Sequence, residues 1–320
     1  MKNKVSMCEK TNNECIECNL CKRKCDFLKK HNINLKDFTK RKDLASNCFL
    51  CDDCKFVCPK KLSGKEIAIE LKQKQKNNFN IYITGFLKNH FIGKNVSKQK
   101  SETLLFLGCN FPAFYPATAK RLVEFAGEKN IDFMIDCCKK PIEDVGGKVS
   151  TQRLEKILKI KQTKKLICVC PNCFYFFKRK LNLEVESVFQ FLFENNIGKN
   201  ILGGANIFLP CPDKKTKEMF AFVQKFFDNC QTPFSDVQCC GLGGGAGKND
   251  SELLSLIKNK LYKHKAENIY TYCSSCASSF QSFGLQNVKY VLSEILDINE
   301  KIETNFLKGS LKSKFIFHKK

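Results

Sequence analysis

The 320-residue chain has no apolar run long enough for a membrane-crossing helix, which needs about 20 apolar residues. The most apolar candidate, IYITGFLKNHFIG (81–93), is too short and carries a lysine. The stretch MKNKVSMCEKTNNEC is polar and lacks the apolar centre of a signal peptide, so a cytoplasmic location is expected. Peripheral membrane association stays compatible with this. Histidine is scarce. His31, His90, His264 and His318 sit among polar residues without metal-ligand spacing, so surface roles are expected. No Ser/His/Asp set and no paired-carboxylate arrangement stands out. Acidic residues are few beside basic ones, 32 against 55, for a formal net charge of +23. No basic run is interleaved with stacking aromatics, so nucleic acid is not an expected partner. The positive field suits an acidic protein partner instead.

Cysteine is abundant, at 21. A short secreted chain with this content would suggest disulfides, but the spacings here are those of metal ligands. Residues 15–25 read CIECNLCKRKC and residues 48–59 read CFLCDDCKFVCP. Both are C-x2-C-x2-C-x3-C, the run that holds [4Fe–4S] clusters in two-cluster ferredoxins, where the fourth cysteine closes the other cluster. That assigns Cys15, Cys18, Cys21 and Cys58 to one cubane cluster, and Cys25, Cys48, Cys51 and Cys54 to a second. After Pro59, Ser63 and Glu66 form a capping-box pattern before Ile67, Ala68 and Leu71 at helical spacing. Between Cys25 and Cys48, Leu28, Leu35, Phe38 and Leu44 stand among charges and suit helix better than strand. Residues 1–75 therefore resemble the helical ferredoxin module found beside heterodisulfide reductase and succinate dehydrogenase type subunits. The polar, Lys/Asn-rich stretch 76–102 is expected to be a linker.

Two cysteine pairs, DCCKKP at 136–141 and QCCGLGGGAG at 238–247, expose a repeat. Adjacent Cα atoms lie about 3.8 Å apart, short of the roughly 4.4–6.8 Å of a disulfide, so the paired thiols are badly placed to bridge each other. The first unit holds Cys109, Cys137, Cys138, Cys170 and Cys173; the second holds Cys211, Cys239, Cys240, Cys273 and Cys276. Counted from the first cysteine, the offsets are 28, 29, 61, 64 and 28, 29, 62, 65. The flanks agree: TLLFLGC with NIFLPC, and LICVCPNCFYFFKRKL with IYTYCSSCASSFQSFG. Residues 104–107 and 165–169 suit buried parallel strands, and 117–130 and 151–162 have helical periodicity. The expected class is α/β: a helical ferredoxin domain, then two tandem cysteine-rich α/β repeats with small parallel sheets, over 103–204 and 205–320. The cysteines fall at strand ends, and each C-x2-C opens a helix whose N-terminus stabilises negative charge. Each unit gathers five thiols, more than the four of an ordinary cubane or a zinc site.

The pattern C…CC(G)…CxxC, twice, resembles the CCG domain of heterodisulfide reductase catalytic subunits. It is also similar to the iron–sulfur subunits of anaerobic glycerol-3-phosphate dehydrogenase and of glycolate and lactate oxidation systems. The resemblance covers roughly residues 12–300. It implies a noncubane [4Fe–4S] cluster on each complete five-cysteine unit, hence one or two beside the two cubanes. It also implies that a thiolate of each pair bridges irons, and that the cluster can bind a substrate sulfur. On this basis Cys211, Cys239, Cys240, Cys273 and Cys276 are candidate catalytic ligands. The implied function is an iron–sulfur oxidoreductase subunit of anaerobic metabolism, with thiol/disulfide chemistry of the heterodisulfide reductase kind. An alternative is the electron-transfer subunit of a flavin-dependent glycerol-3-phosphate, glycolate or lactate dehydrogenase. A further alternative is a zinc-binding interaction protein. The implied partner is an acidic flavoprotein or ferredoxin-like electron donor or acceptor. Lys139 departs from the family pattern, standing where the second unit has Gly241.

The run GLGGGAGK (241–248) fails the phosphate-loop test, and a flexible loop over a cluster is expected there. Cys8, Cys168 and Cys230 are left over. Cys168 alternates with Cys170 and is expected to be a small buried side chain. Cys8 is expected to be an exposed thiol.

Overall fold

The computed structural model of the chain describes residues 5–75, 78–90, 94–96 and 99–317. It is a mixed α/β protein whose contacts divide it into two compact units. The first comprises Met1–Gly85, Pro141–Lys148 and Asp236–Leu261. The second comprises Phe86–Lys140, Val149–Ser235 and Tyr262–Lys320.

The first unit has no strand among its described residues. Ser6 opens its first helix, Met7–Glu14, by accepting from the Glu9 N–H at 3.0 Å. The stretch between Cys25 and Cys48 folds as short helices Asp26–Lys30 and Leu35–Phe38 and a 3₁₀ turn Lys42–Asn47. Leu28, Leu35, Phe38 and Leu44 are all buried there, and Phe27 meets Phe38 edge-on at 5.1 Å. Ser63 caps the helix Gly64–Gln75 by accepting from Glu66 N–H at 3.1 Å. The reciprocal half of the capping box is not made, because the Glu66 carboxylate pairs with Lys55 at 3.4 Å. Ile67, Ala68 and Leu71 form the inner stripe of that helix.

Residues 236–261 join this unit through close contacts that only small residues permit. A Cβ on Gly243 would stand 1.8 Å from the Phe49 carbonyl oxygen. Gly244, at φ +61°, lies against Leu50 and the Cys48 carbonyl. The glycine-rich run is therefore pressed onto the 48–50 backbone at Gly243 and Gly244, where glycine serves close approach. Asp250 then opens the helix Ser251–Tyr262, accepting from Leu253 N–H at 3.0 Å and pairing with Lys30 at 2.7 Å.

Among the described residues the second unit has nine strands: β1 (Asn95–Val96), β2 (Thr103–Phe106), β3 (Asp132–Ile135), β4 (Lys165–Cys168), β5 (Glu184–Ser187), β6 (Ile201–Phe208), β7 (Phe227–Gln231), β8 (Ile269–Thr271) and β9 (Val288–Tyr290). One sheet has the order β1-β3-β2-β4-β5 and the other β7-β6-β8-β9. Apart from the antiparallel edge strand β1, every pairing is parallel. Taken from the first strand of each repeat, both sheets run second-first-third-fourth. The sequence repeat is thus also a repeat of topology. Leu104, Leu105, Leu166 and Ile167 are at most 1% exposed, as central strands of a parallel sheet covered on both faces require. Helices Pro116–Glu128 and Gln152–Lys161 cover the stretches with helical periodicity.

The stretch expected as a linker contains a 13-residue helix, Asn78–His90, and strand β1. Residues 76–77, 91–93 and 97–98 of it, and His318, lie outside the described residues. Among the described residues no helix is long and apolar enough to cross a membrane.

Candidate metal centres

In the first unit, one cavity of about 330 Å³, counted to its open mouth, is lined by Cys15, Cys18, Cys21 and Cys58. A second, of about 400 Å³, is lined by Cys25, Cys48, Cys51 and Cys54. Each set contains three cysteines from one run and the fourth from the other, the crosswise assignment made from spacing. The two walls differ in exposure. Cys18 is exposed, whereas Cys25, Cys48 and Cys54 are buried.

The two runs share one backbone shape. Cys15 and Cys48 are extended, at φ −71°, ψ 120° and φ −76°, ψ 124°. Glu17 and Asn19 then take positive φ, as do Leu50 and Asp52. Asn19 (φ 59°, ψ 11°) and Asp52 (φ 64°, ψ 14°) are both left-handed, each opening a short helix. Alternating handedness turns successive N–H groups to one side, forming the concave nest that binds anions and many iron–sulfur clusters. Left-handed backbone costs a non-glycine residue about 1–2 kcal/mol, so four such residues need a compensating interaction. Gly64 also serves this site: a Cβ there would stand 2.7 Å from Cys54 Sγ. Burial pushes the Cys25 thiol up to about 12 and raises Cys54 and Cys48 as well. Bare thiols in this setting resist ionisation, and a cationic centre would reverse that.

The five cysteines of the first repeat all lie in the second unit. Their side chains form one connected chain of sulfur contacts, Cys109 to Cys137 to Cys138 to Cys173 to Cys170. Cys138 is the thiol of this chain whose pKa is lowered. Hydrogen bonds from Cys137 and then Cys173 pull its thiol down to about 6 against burial. The donors move the other way. Cys137 is eased by its bond to Cys109, but its bond to Cys138 and burial together take it up to about 12. Cys170 opens the helix Pro171–Lys180, with Cys173 in the first turn. Gly108, at φ +76°, keeps the backbone close enough that a Cβ would sit 3.4 Å from Cys173 Sγ.

Of the second repeat's five, Cys239 and Cys240 belong to the first unit, and Cys211, Cys273 and Cys276 to the second. Cys273 opens the helix Ser274–Ser282, with Cys276 in its first turn, matching the first repeat. The pairs also match. Lys139 N–H donates to Cys137 Sγ at 3.4 Å, and Gly241 N–H donates to Cys239 Sγ at 3.4 Å. Within the second unit, Cys170 of the first repeat reaches hydrogen-bond contact with Cys273 of the second.

Compared with models of protein families and with curated proteins, the chain matches none. The argument for its chemistry therefore stays with its own residues.

Among the described residues, no three or more His, Cys, Asp or Glu side chains converge on a single-ion position.

Sequence reasoning missed the residues that support these thiols. Gln238 brackets Cys25: its side chain accepts from Asp26 N–H at 3.4 Å and donates to the Lys24 carbonyl. Asp213, fully buried, accepts from the hydroxyls of Tyr175 and Tyr272 and from the N–H groups of Met219 and Phe220. It ties the Cys211 loop to the Cys173 helix and to the strand end before Cys273. Neither residue has a spacing that marks it. Cys168 is buried in β4, as expected. Cys8 is not an exposed thiol: it is 6% exposed, its N–H donates to Glu70 at 3.0 Å, and burial raises its thiol to about 11.

Proposed function

We propose that the chain is an iron–sulfur oxidoreductase subunit that carries electrons between two ferredoxin-type [4Fe–4S] clusters and CCG-type clusters. The reaction served is the interconversion of a disulfide and two thiols, of the heterodisulfide reductase kind. The observation that carries this reading is the pair of cavities, each lined by four thiols in the crosswise pattern of a two-cluster ferredoxin. Bound there, [4Fe–4S] clusters supply one-electron storage at potentials tuned by hydrogen bonds and exposure. The chain's own residues do the rest. Cys15, Cys18, Cys21 and Cys58 hold the group nearer the surface, where an acidic flavoprotein or ferredoxin-like carrier can reach it. Cys25, Cys48, Cys51 and Cys54 hold the group that Gln238 joins to the segment bearing Cys239 and Cys240. Lysine-rich surface steers the acidic carrier.

In the reducing direction the sulfur–sulfur bond breaks, two electrons arrive singly from the carrier, and two protons come from solvent, giving two thiols. The contact between Cys170 and Cys273 favours this over a relay role alone, because it brings one cysteine of each repeat together within the second unit. Two sulfurs of one substrate need two acceptors near each other.

Anaerobic purification with iron and sulfide analysis tests the reading. Four clusters give about sixteen irons per chain with matching sulfide. Zinc without sulfide would overturn it. Oxidation in the presence of candidate thiols should produce a thiol-dependent paramagnetic signal. Its absence in protein carrying the full iron would leave the electron-transfer role beside a flavin dehydrogenase.

A further inference from the structure

The helix Phe306–Phe317 is inside out. Its buried face consists of Gly309, Ser310, Ser313 and Phe317. Its outer face carries Leu307, Leu311 and Phe315, four residues apart and 48%, 56% and 79% exposed, with Ile316 beside them at 42%. A surface helix ordinarily turns its apolar stripe inward. Close packing explains why this one does not. A Cβ on Gly309 would stand 1.9 Å from the Ala113 carbonyl oxygen, so only glycine fits at that point of the inner face. The hydroxyls of Ser310 and Ser313 are buried without a hydrogen-bond partner among the described residues. The helix thus buries small polar residues and shows leucine and phenylalanine to solvent, an arrangement that is favourable once something apolar covers the outer face.

Charge says what that is. From 306 to 317 the chain has three lysines, at 308, 312 and 314, and no acidic residue. Glu303, just before the helix, pairs with Lys308 at 3.6 Å and Lys312 at 3.0 Å, leaving a net basic rim. Lys88 adds to it, 4.2 Å from the Phe306 ring centre. An apolar stripe edged by lysine is the pattern of a helix that lies in a membrane interface. Twelve residues at about 1.5 Å each reach about 18 Å, too short to span the roughly 30 Å hydrocarbon core. We propose that this helix seats the protein on an anionic lipid surface, with Leu307, Leu311 and Phe315 at the acyl boundary and the lysines among the headgroups. The inference does not rest on the iron–sulfur reading.

The chain contains no tryptophan, so Phe315→Trp makes a sole fluorescent reporter at the stripe. The full-length variant is mixed with phosphatidylcholine vesicles with and without 30% phosphatidylglycerol, a fraction chosen as roughly that of anionic-rich membranes. The expected result is a blue shift and quenching by brominated lipid with the anionic vesicles, and little change with the neutral ones. Adding Leu307→Ser and Leu311→Ser should lower vesicle partitioning by about tenfold or more. These positions are exposed, and unchanged far-ultraviolet circular dichroism checks the fold. Water-exposed emission with anionic vesicles would overturn the proposal. So would a blue shift that appears without lipid and grows with protein concentration, which would mean a second copy covers the face. Vesicle binding that survives both serine substitutions would overturn it too.

Discussion

At Lys139 the two repeats differ in side chain but keep the same backbone form. Lys139 sits at φ +71°, and its counterpart Gly241 at φ +84°. Both donate their N–H to the first sulfur of the pair at the same 3.4 Å. The backbone form that glycine adopts freely is therefore kept by a side chain that resists it. Lys139→Gly should stabilise the folded protein by roughly 0.5–1 kcal/mol, the left-handed strain relieved less the extra chain entropy of glycine in the unfolded state. Urea denaturation of the anaerobic protein measures it. Equal or lower stability would show that Lys139 makes contacts worth more than its strain. The sequence reveals the missing glycine but not whether the backbone changes with it; a φ angle is decided by the sulfur that the N–H must reach.

At the scale of elements, what could be read from sequence was what local spacing controls. The strands around Leu104 and Leu166 and the cap at Ser63 follow from patterns a few residues long. The destination of 236–261 does not, because its contacts join residues about two hundred positions apart. Asp250 shows how such a segment is fixed. It opens the helix Ser251–Tyr262, pairs with Lys30 at 2.7 Å and accepts from Asn47 at 3.3 Å. Burial opposes its ionisation, but Lys30, the Leu253 N–H and Asn47 prevail and hold its carboxyl below the usual range. A carboxyl depressed in the folded state adds stability above its unfolded value near pH 4, and that stability is lost as pH falls through the folded value. Asp250→Asn should therefore cost about 1–2 kcal/mol at pH 7, as lost caps and charged hydrogen bonds do. The gap to wild type should narrow as pH falls below about 4. Thermal melts of both proteins across pH 3–7 give the comparison, and a gap independent of pH would rule out the ion pair as its source.

At the scale of the whole chain, the two repeats are alike in strand order but unlike in how their cysteines are distributed. All five of the first repeat belong to the second unit, whereas Cys239 and Cys240 travel with 236–261 into the first. A fragment of residues 86–320 separates these cases. It keeps every residue that the first repeat's five thiols contact within their own unit. It removes Phe49, Leu50, Lys24, Asp26 and Lys30, against which Gly243, Gly244, Gln238 and Asp250 are held. The glycine-rich run then loses the backbone that it is pressed upon. Limited proteolysis should cut the fragment within 241–249 while the full chain resists there, since cleavage follows the population of locally opened states. On the proposed cofactor content, iron in the fragment should fall from about sixteen to about four, the first repeat's share alone. About eight irons, with 241–249 still protected, would mean that Cys239 and Cys240 are held by the second unit's own residues and that the ferredoxin segment is not their support.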